Sequence, residues 1–137
     1  MQINFHSFDL SQSQDVDAMF TACDPIDILV NNAGAIPGGT LKEVDEETWR
    51  LGWELKVFGY INNFRRAYER MKQRRSGVII NVIGTGGERP VATYAAGAGG
   101  NAALMSLTRA SGESSVEDSI RVVGINPSPI TTDRLES

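Results

Sequence analysis

The segment Asp27-Ile-Leu-Val-Asn-Asn-Ala-Gly34 decides how the rest of this sequence is interpreted. An unbroken apolar run that lacks alternation is typical of a strand buried on both faces of a parallel sheet. Here the run stops at two asparagines, which therefore lie at the carboxyl end of the strand, where open α/β sheets bind their ligands. On this segment alone, an ordinary loop after a buried strand remains the alternative.

Composition excludes several classes of function. The chain has 137 residues, a net charge of −4 and a pI near 5.0, so nothing indicates a nucleic-acid partner or an anionic membrane surface. Cys23 is the only cysteine and His6 the only histidine, which leaves no disulfide framework and no metal site to predict. With no signal pattern and no apolar run of membrane-spanning length, we expect a cytoplasmic protein that does not enter a membrane.

Apolar patterns along the chain predict strands that alternate with helices. In order they indicate a strand at residues 3–8, a short helix at 13–21, a strand at 27–30, a long helix from 44 through 75, a strand at 78–83, a helix at 92–110 and a strand at 120–125. Such alternation predicts an α/β class with a parallel sheet. The long helix carries more large apolar residues than one sheet-facing stripe uses, which indicates a second buried face, as against another subunit.

Three motifs, in order, resemble the short-chain dehydrogenase/reductase family. They are Asp9-Leu10, Asn31-Asn-Ala-Gly34 and Asn126-Pro-Ser-Pro-Ile-Thr-Thr132. The resemblance implies a partial Rossmann-like, doubly wound parallel sheet in a three-layer α/β/α arrangement. It also implies an NAD or NADP cofactor along the strand ends and hydride transfer between an alcohol and a carbonyl. The cofactor-binding residues implied are Asp9, Leu10, Asn32, Ala33, Gly34, Pro127, Ile130 and Thr132.

The sequence also departs from the family pattern. The glycine-rich phosphate loop has no counterpart, so we expect residues 1–137 to form a single truncated Rossmann-like domain that binds its cofactor weakly or not at all. The choice between NAD and NADP stays open, because the residue that reads the ribose 2′ position is missing. The strand at residues 3–8 has lost its usual neighbour, and either pairs with the strand at 27–30 or is joined by another copy of the chain.

The family's catalytic positions are changed as well. Its serine, tyrosine, lysine and asparagine correspond to Gly84, Gly97, Asn101 and Lys56. We expect that Lys56 and Asn101 have exchanged roles, so that Lys56 supplies the positive charge that lowers the pKa of a proton-donating Tyr94 while Asn101 holds a water or the ribose. The alternative is that Lys56 is a surface lysine and Asn101 a helix-packing amide.

Two functions from different classes follow. The first is a divergent NAD(P)-dependent oxidoreductase that acts on a small-molecule alcohol or carbonyl. The second is a catalytically inactive relative that binds cofactor or acts by self-assembly. For either, we expect a homo-oligomer formed through the long helix and the helix at residues 92–110, because the family pairs these two helices.

Overall fold

The sheet of the computed structural model, which describes residues 2–128, contains three parallel strands. They are β1 (Ile28–Asn31), β2 (Gly77–Val82) and β3 (Ile120–Ile125), in the order β1-β2-β3. Leu29 pairs with Ile79, which pairs in turn with Val122. The predicted α/β class and Rossmann-like parallel sheet are therefore confirmed. The predicted cofactor residues Ile130 and Thr132 lie outside the described residues.

The helices are α1 (Ser13–Cys23), α2 (Glu46–Trp53), α3 (Gly59–Arg74) and α4 (Ala95–Ser115). The predicted long helix is present as α2 and α3, joined through one π-helical segment at Glu54–Phe58. Asp45 caps its start by accepting a hydrogen bond from the backbone N–H of Thr48 at 2.7 Å. None of the described helices has both the length and the apolar character needed to cross a bilayer.

The predicted strand at residues 3–8 is wrong. This segment has no regular structure, and the side chains of Ile3 and Phe5 are 61% and 90% exposed. A strand needs a neighbouring strand to pair its N–H and C=O groups, and within the described residues β1 pairs with β2 alone. Direct pairing of this segment with the strand after Asp27, one of the two expected arrangements, does not occur.

The described helices pack on one face of the sheet. Leu29, Ile79 and Ile120 are buried on that face, whereas Ile28 and Val30 on the other face are 59% and 54% exposed. The cause is topological. Right-handed crossovers that add strands in one direction place every connecting helix on the same side. Residues 2–128 therefore form two layers, and the second helical layer of the expected α/β/α arrangement is not among them.

A row of buried amides cross-links the sheet to the helices above it. Asn63 of α3 donates to Asn31 of β1 at 3.1 Å, Asn31 donates to Asn81 of β2 at 2.9 Å, and Asn81 donates to Thr108 of α4 at 3.0 Å. Asn31, the first asparagine of the opening motif, is 2% exposed and belongs to this row. Its role is therefore to hold the strands and helices together, while the neighbouring Asn32 is left exposed.

This row yields a stability prediction for Asn81→Ala. The substitution leaves the buried amide N–H of Asn31 without an acceptor, so we expect the free energy of unfolding to fall by about 1–3 kcal/mol. Asn62→Ala, at the neighbouring position in the same helix but only half-buried, serves as the control and should change stability little. Urea denaturation measures both variants. Equal stabilities for the two would contradict a cross-linking role for the row.

Candidate active site

The loops that follow the three parallel strands meet at one edge of the sheet. Asn32 and Gly34 follow β1, Gly84 follows β2 and Pro127 follows β3. Thr85, next to Gly84, donates its backbone N–H to the carbonyl of Pro127 at 3.3 Å, which joins the second and third loops. Gly84 adopts a φ of 121°, a conformation that side-chain-bearing residues rarely take. This edge is the place where the fold class binds ligands.

Lys56 reaches this edge from the π-helical segment. Its ammonium donates to the Tyr60 hydroxyl and to the Val82 carbonyl, each at 2.8 Å, and the residue is only 9% exposed. The stem lies against Gly34, where an added Cβ would come within 2.4 Å of Lys56 Cδ. The glycine thus leaves the room that the lysine stem occupies. Lys56 is buried, so the alternative of a solvated surface lysine does not hold.

Burial also changes the acidity of this group. It lowers the pKa of the Lys56 ammonium from 10.5 to about 8, because the charged form loses its water. The same effect raises the pKa of the Tyr60 hydroxyl above its ordinary value. Lys56 therefore titrates near the working range of an acid or base in an enzyme.

Tyr94 precedes α4 instead of lying within it. Its backbone is held by the loop after β1, since Gly39 donates to the carbonyl of Thr93 at 2.7 Å and accepts from the N–H of Ala95 at 3.2 Å. Its ring covers Gly97, where an added Cβ would lie 1.8 Å from Tyr94 Cζ. Tyr94 thus fills the space that a side chain at position 97 would need.

Asn101 and Tyr94 come together across Gly86. An added Cβ at Gly86 would lie 3.3 Å from Asn101 Nδ2 and 3.3 Å from two ring carbons of Tyr94. Because α4 begins only after Tyr94, the tyrosine reaches Asn101 from the loop before the helix and not from a turn of the helix itself. Asn101 is 3% exposed and its Oδ1 has no hydrogen-bond partner. Buried amide oxygens usually have a partner, and those of Asn63 and Asn126 also lack one.

The expected contact of Lys56 with Tyr94 is replaced by one with Tyr60. The lysine ammonium sits at Val82, two residues before Gly84, and its hydrogen-bonded tyrosine is on its own helix. Sequence analysis missed Tyr60, although the spacing Lys56-x-x-x-Tyr60 is a usable signal, since residues four apart share a helix face. In the described structure Tyr94 and Asn101 converge near Gly86, and the Lys56 ammonium lies at the end of the same strand, on the Val82 carbonyl.

The residues expected to bind a cofactor differ in what they offer. Asn32, Ala33 and Gly34 are exposed at the end of β1, and Asn101 Oδ1 is an unpaired acceptor nearby in the fold, which fits a ligand with hydroxyl or amide donors. Leu10 packs against the core instead. Asp9 accepts hydrogen bonds from the Ser11 hydroxyl and N–H, which lower the pKa of its carboxyl and keep it anionic at the surface.

The described residues contain no cluster of three or more His, Cys, Asp or Glu side chains that could hold a metal ion. Pro127 is half-buried and contributes its carbonyl to the bond with Thr85. The site built by residues 2–128 is therefore a set of strand-end loops with one buried cation, the tyrosines Tyr60 and Tyr94, and two buried amide oxygens without a hydrogen-bond partner, those of Asn101 and Asn126.

Relatives at the level of sequence are dehydrogenases and reductases. A 2,3-dihydro-2,3-dihydroxybenzoate dehydrogenase of Bacillus subtilis is 33% identical over 109 residues, which is 80% of this chain and 42% of that protein. A 7alpha-hydroxysteroid dehydrogenase of Escherichia coli is 31% identical over 135 residues, covering 94% of this chain and 52% of that protein. The chain thus spans about half the length of these relatives.

Solved structures give the same picture. YwfH, an NADPH-dependent reductase involved in bacilysin biosynthesis, matches with a TM-score of 0.85 and 28% identity, over 93% of this chain and 52% of that one. The family model described as short chain dehydrogenase matches residues 1–137. Together with the strand-end motifs, these matches show that the chain belongs to the short-chain dehydrogenase family.

Proposed function

We propose that this chain carries the active-site half of an NAD(P)-dependent oxidoreductase that interconverts an alcohol and a carbonyl with altered catalytic residues. The observation that carries the proposal is the buried ammonium of Lys56 at the end of β2, on the same edge as the unpaired Oδ1 of Asn101. The relatives described above, two dehydrogenases and one NADPH-dependent reductase, support this reaction class.

Energetics support a functional role for Lys56. Its lowered pKa means that folding at neutral pH places a charge in surroundings that disfavour it. A leucine or methionine would fill the same space without that cost. Buried ionisable groups that lower the stability of the folded chain are concentrated at active sites.

Each residue has a role in the proposed reduction. Tyr94 donates a proton to the carbonyl oxygen as the oxygen gains negative charge, and Lys56 supplies the positive field that favours this transfer. Asn101 accepts a hydrogen bond from a water or a hydroxyl through its unpaired Oδ1. When bound, NADH or NADPH supplies the hydride that adds to the carbonyl carbon.

The cofactor would lie along the strand-end edge. Its nicotinamide half fits the exposed segment of residues 32–34 after β1 and the loop at Pro127, with Ile130 and Thr132 as further proposed contacts. Asp9 and Leu10 remain the proposed contacts at the adenine end. Because no glycine-rich phosphate loop is present in the sequence, we expect weak binding of the cofactor by this chain alone.

An inactive relative is the second candidate. It is favoured by one observation: Lys56 is hydrogen-bonded to Tyr60, so no cation contacts the Tyr94 hydroxyl among the described residues. Such a protein would bind cofactor without turnover, or would act by self-assembly. A titration with NADH and NADPH in the presence of a panel of ketones separates the two candidates.

Self-association through the long helix is also part of the proposal. Leu51 and Phe58 lie along α2 and the π-helical segment and are 66% and 47% exposed, beside a groove lined by Trp49 and Trp53. Large apolar side chains grouped in this way mark contact surfaces. A second copy of the chain is the partner that this face would take, with α4 as the other half of the interface.

Stability of Lys56→Met tests the cost of the buried charge. Below pH 8 the folded and the unfolded chain both carry the Lys56 charge, so the full free-energy cost of burying that charge is present. Between about 8 and 10.5 the unfolded chain binds the extra proton, so the parent's stability rises with pH. We expect the variant to be more stable than the parent at pH 7, by up to about 3 kcal/mol, with the gain vanishing near pH 10.5. Urea unfolding at both pH values measures this, with exposed Lys42→Met as the control. A destabilised variant at pH 7 would contradict it.

Turnover tests the reaction itself. With NADH or NADPH and a ketone panel, we expect the parent chain to oxidise the cofactor. Lys56→Met should lose this activity at least 100-fold, on the order of what one acid–base group contributes. Lys42→Met should keep it. Cofactor binding, followed by nicotinamide fluorescence, should persist in Lys56→Met. Saturable binding by the parent without any turnover would instead establish the inactive alternative.

Light scattering tests the assembly. At micromolar concentration we expect the parent to have the mass of a dimer or larger, and Leu51→Glu to shift it to the monomer by placing a charge in the interface. Val91→Glu replaces an apolar residue that is 56% exposed outside both helices and should leave the mass unchanged. A monomeric parent would exclude this interface.

A further inference from the structure

Tyr60 is a buried tyrosine to which neither the sequence motifs nor the proposed reaction assigns a role. The residue is 2% exposed and lies one helical turn after Lys56, at the start of α3. Its hydroxyl donates to the Val82 carbonyl at 2.8 Å and accepts from the Lys56 ammonium at 2.8 Å. The ammonium also lies 4.4 Å from the centre of the Tyr60 ring.

These contacts form a closed triangle of lysine, tyrosine and backbone carbonyl. Lys56 donates to the same Val82 carbonyl at 2.8 Å, so each of the three groups contacts the other two. An ammonium has three N–H donors. Two of them are used within the triangle, and one remains for a ligand.

We propose that Tyr60 is a positioning residue that holds the Lys56 ammonium at the carboxyl end of β2, with one N–H directed to the ligand site. A lysine side chain is long and flexible, so its amine takes a defined place only when contacts fix both the stem and the head. Gly34 makes room for the stem, and Tyr60 and Val82 hold the head. As a role in catalysis, this inference rests on the proposed oxidoreductase function.

The acidity of Lys56 gives a direct readout of the triangle. Tyr60 is the titratable side chain that contacts the amine, whereas Glu54 in the same π-helical segment and Tyr94 before α4 make no hydrogen bond to it in the described structure. A hydroxyl that accepts from an ammonium stabilises the charged form. Removing that hydroxyl should therefore lower the pKa of Lys56 further below its present value near 8.

Tyr60→Phe is the variant that tests this. The Val82 carbonyl keeps its bond from Lys56, so the substitution leaves no unpaired buried acceptor, and the phenyl ring keeps the packing. Tyr68→Phe is the matched control. It removes a hydroxyl on the same helix that bonds to Asp118 at 2.7 Å and does not contact Lys56.

Nuclear magnetic resonance of lysine side chains measures the effect without requiring activity. The chain has three lysines, Lys42, Lys56 and Lys72, so the Lys56 signal is assigned by its loss in Lys56→Met. We expect its pKa to fall by about one unit in Tyr60→Phe and to stay unchanged in Tyr68→Phe. The signals of Lys42 and Lys72 should titrate identically in all variants.

Kinetics extend the test to the reaction. If turnover is observed, the pH at which kcat changes on the alkaline side should be lower by about the same number of pH units in Tyr60→Phe. Tyr68→Phe should show the pH profile of the parent. An unchanged Lys56 pKa in Tyr60→Phe would overturn the positioning role. A lowered Lys56 pKa in Tyr60→Phe, in a chain without turnover, would overturn the oxidoreductase proposal. It would still support the claim that Tyr60 holds the Lys56 ammonium in place.

Discussion

The hydrogen-bonded row of buried amides is the interaction on which the rest of this structure depends. It runs from Asn63 through Asn31 and Asn81 to Thr108, and so joins two strands to the two long helices above them. Each buried amide must find partners, or the fold loses the free energy of desolvation. Because the partners are on four different elements, the row links the positions of two strands and two helices, and Asn63 Oδ1 at its end is left unpaired. In this arrangement the strand ends lie at a common edge.

Two glycines, which have no side chain, shape the site at that edge. The Lys56 stem runs over Gly34, and the Tyr94 ring lies over Gly97. In both cases a Cβ on the glycine would overlap the neighbouring side chain, so the glycine is required by packing and not by its own backbone angles. The two glycines leave room for a buried cation and a tyrosine near the end of β2.

The chemistry of the site follows from how its polar groups are paired. Lys56 is almost fully buried, and its charge is balanced by a hydroxyl and a carbonyl and not by a carboxylate. Burial lowers the pKa of the ammonium, its two hydrogen bonds leave one of its three donors unused, and the Oδ1 of Asn101 has no hydrogen-bond partner. A donor and an acceptor left unpaired at one edge are what a hydroxyl-bearing ligand requires.

Local patterns in the sequence predicted the parallel α/β class, the three strands of the sheet and the family resemblance, because apolar runs and strand-end motifs are local signals. The sequence left open whether Lys56 enters the site or is a surface lysine. Tertiary structure alone decided the rest. Residues 3–8 are not a strand, since pairing requires a neighbour that local pattern does not supply.

Tyr94 and Asn101 meet because α4 starts after the tyrosine, a boundary set by the bridge to Gly39. Tyr60 became visible as the partner of Lys56 only when both were placed against the Val82 carbonyl. The same physical reason applies to residues 3–8, to the contact of Tyr94 with Asn101 and to the pairing of Tyr60 with Lys56. Hydrogen bonds between distant residues depend on where the strands and helices pack, and the spacing of residues along the chain carries that information only within a single helix or strand.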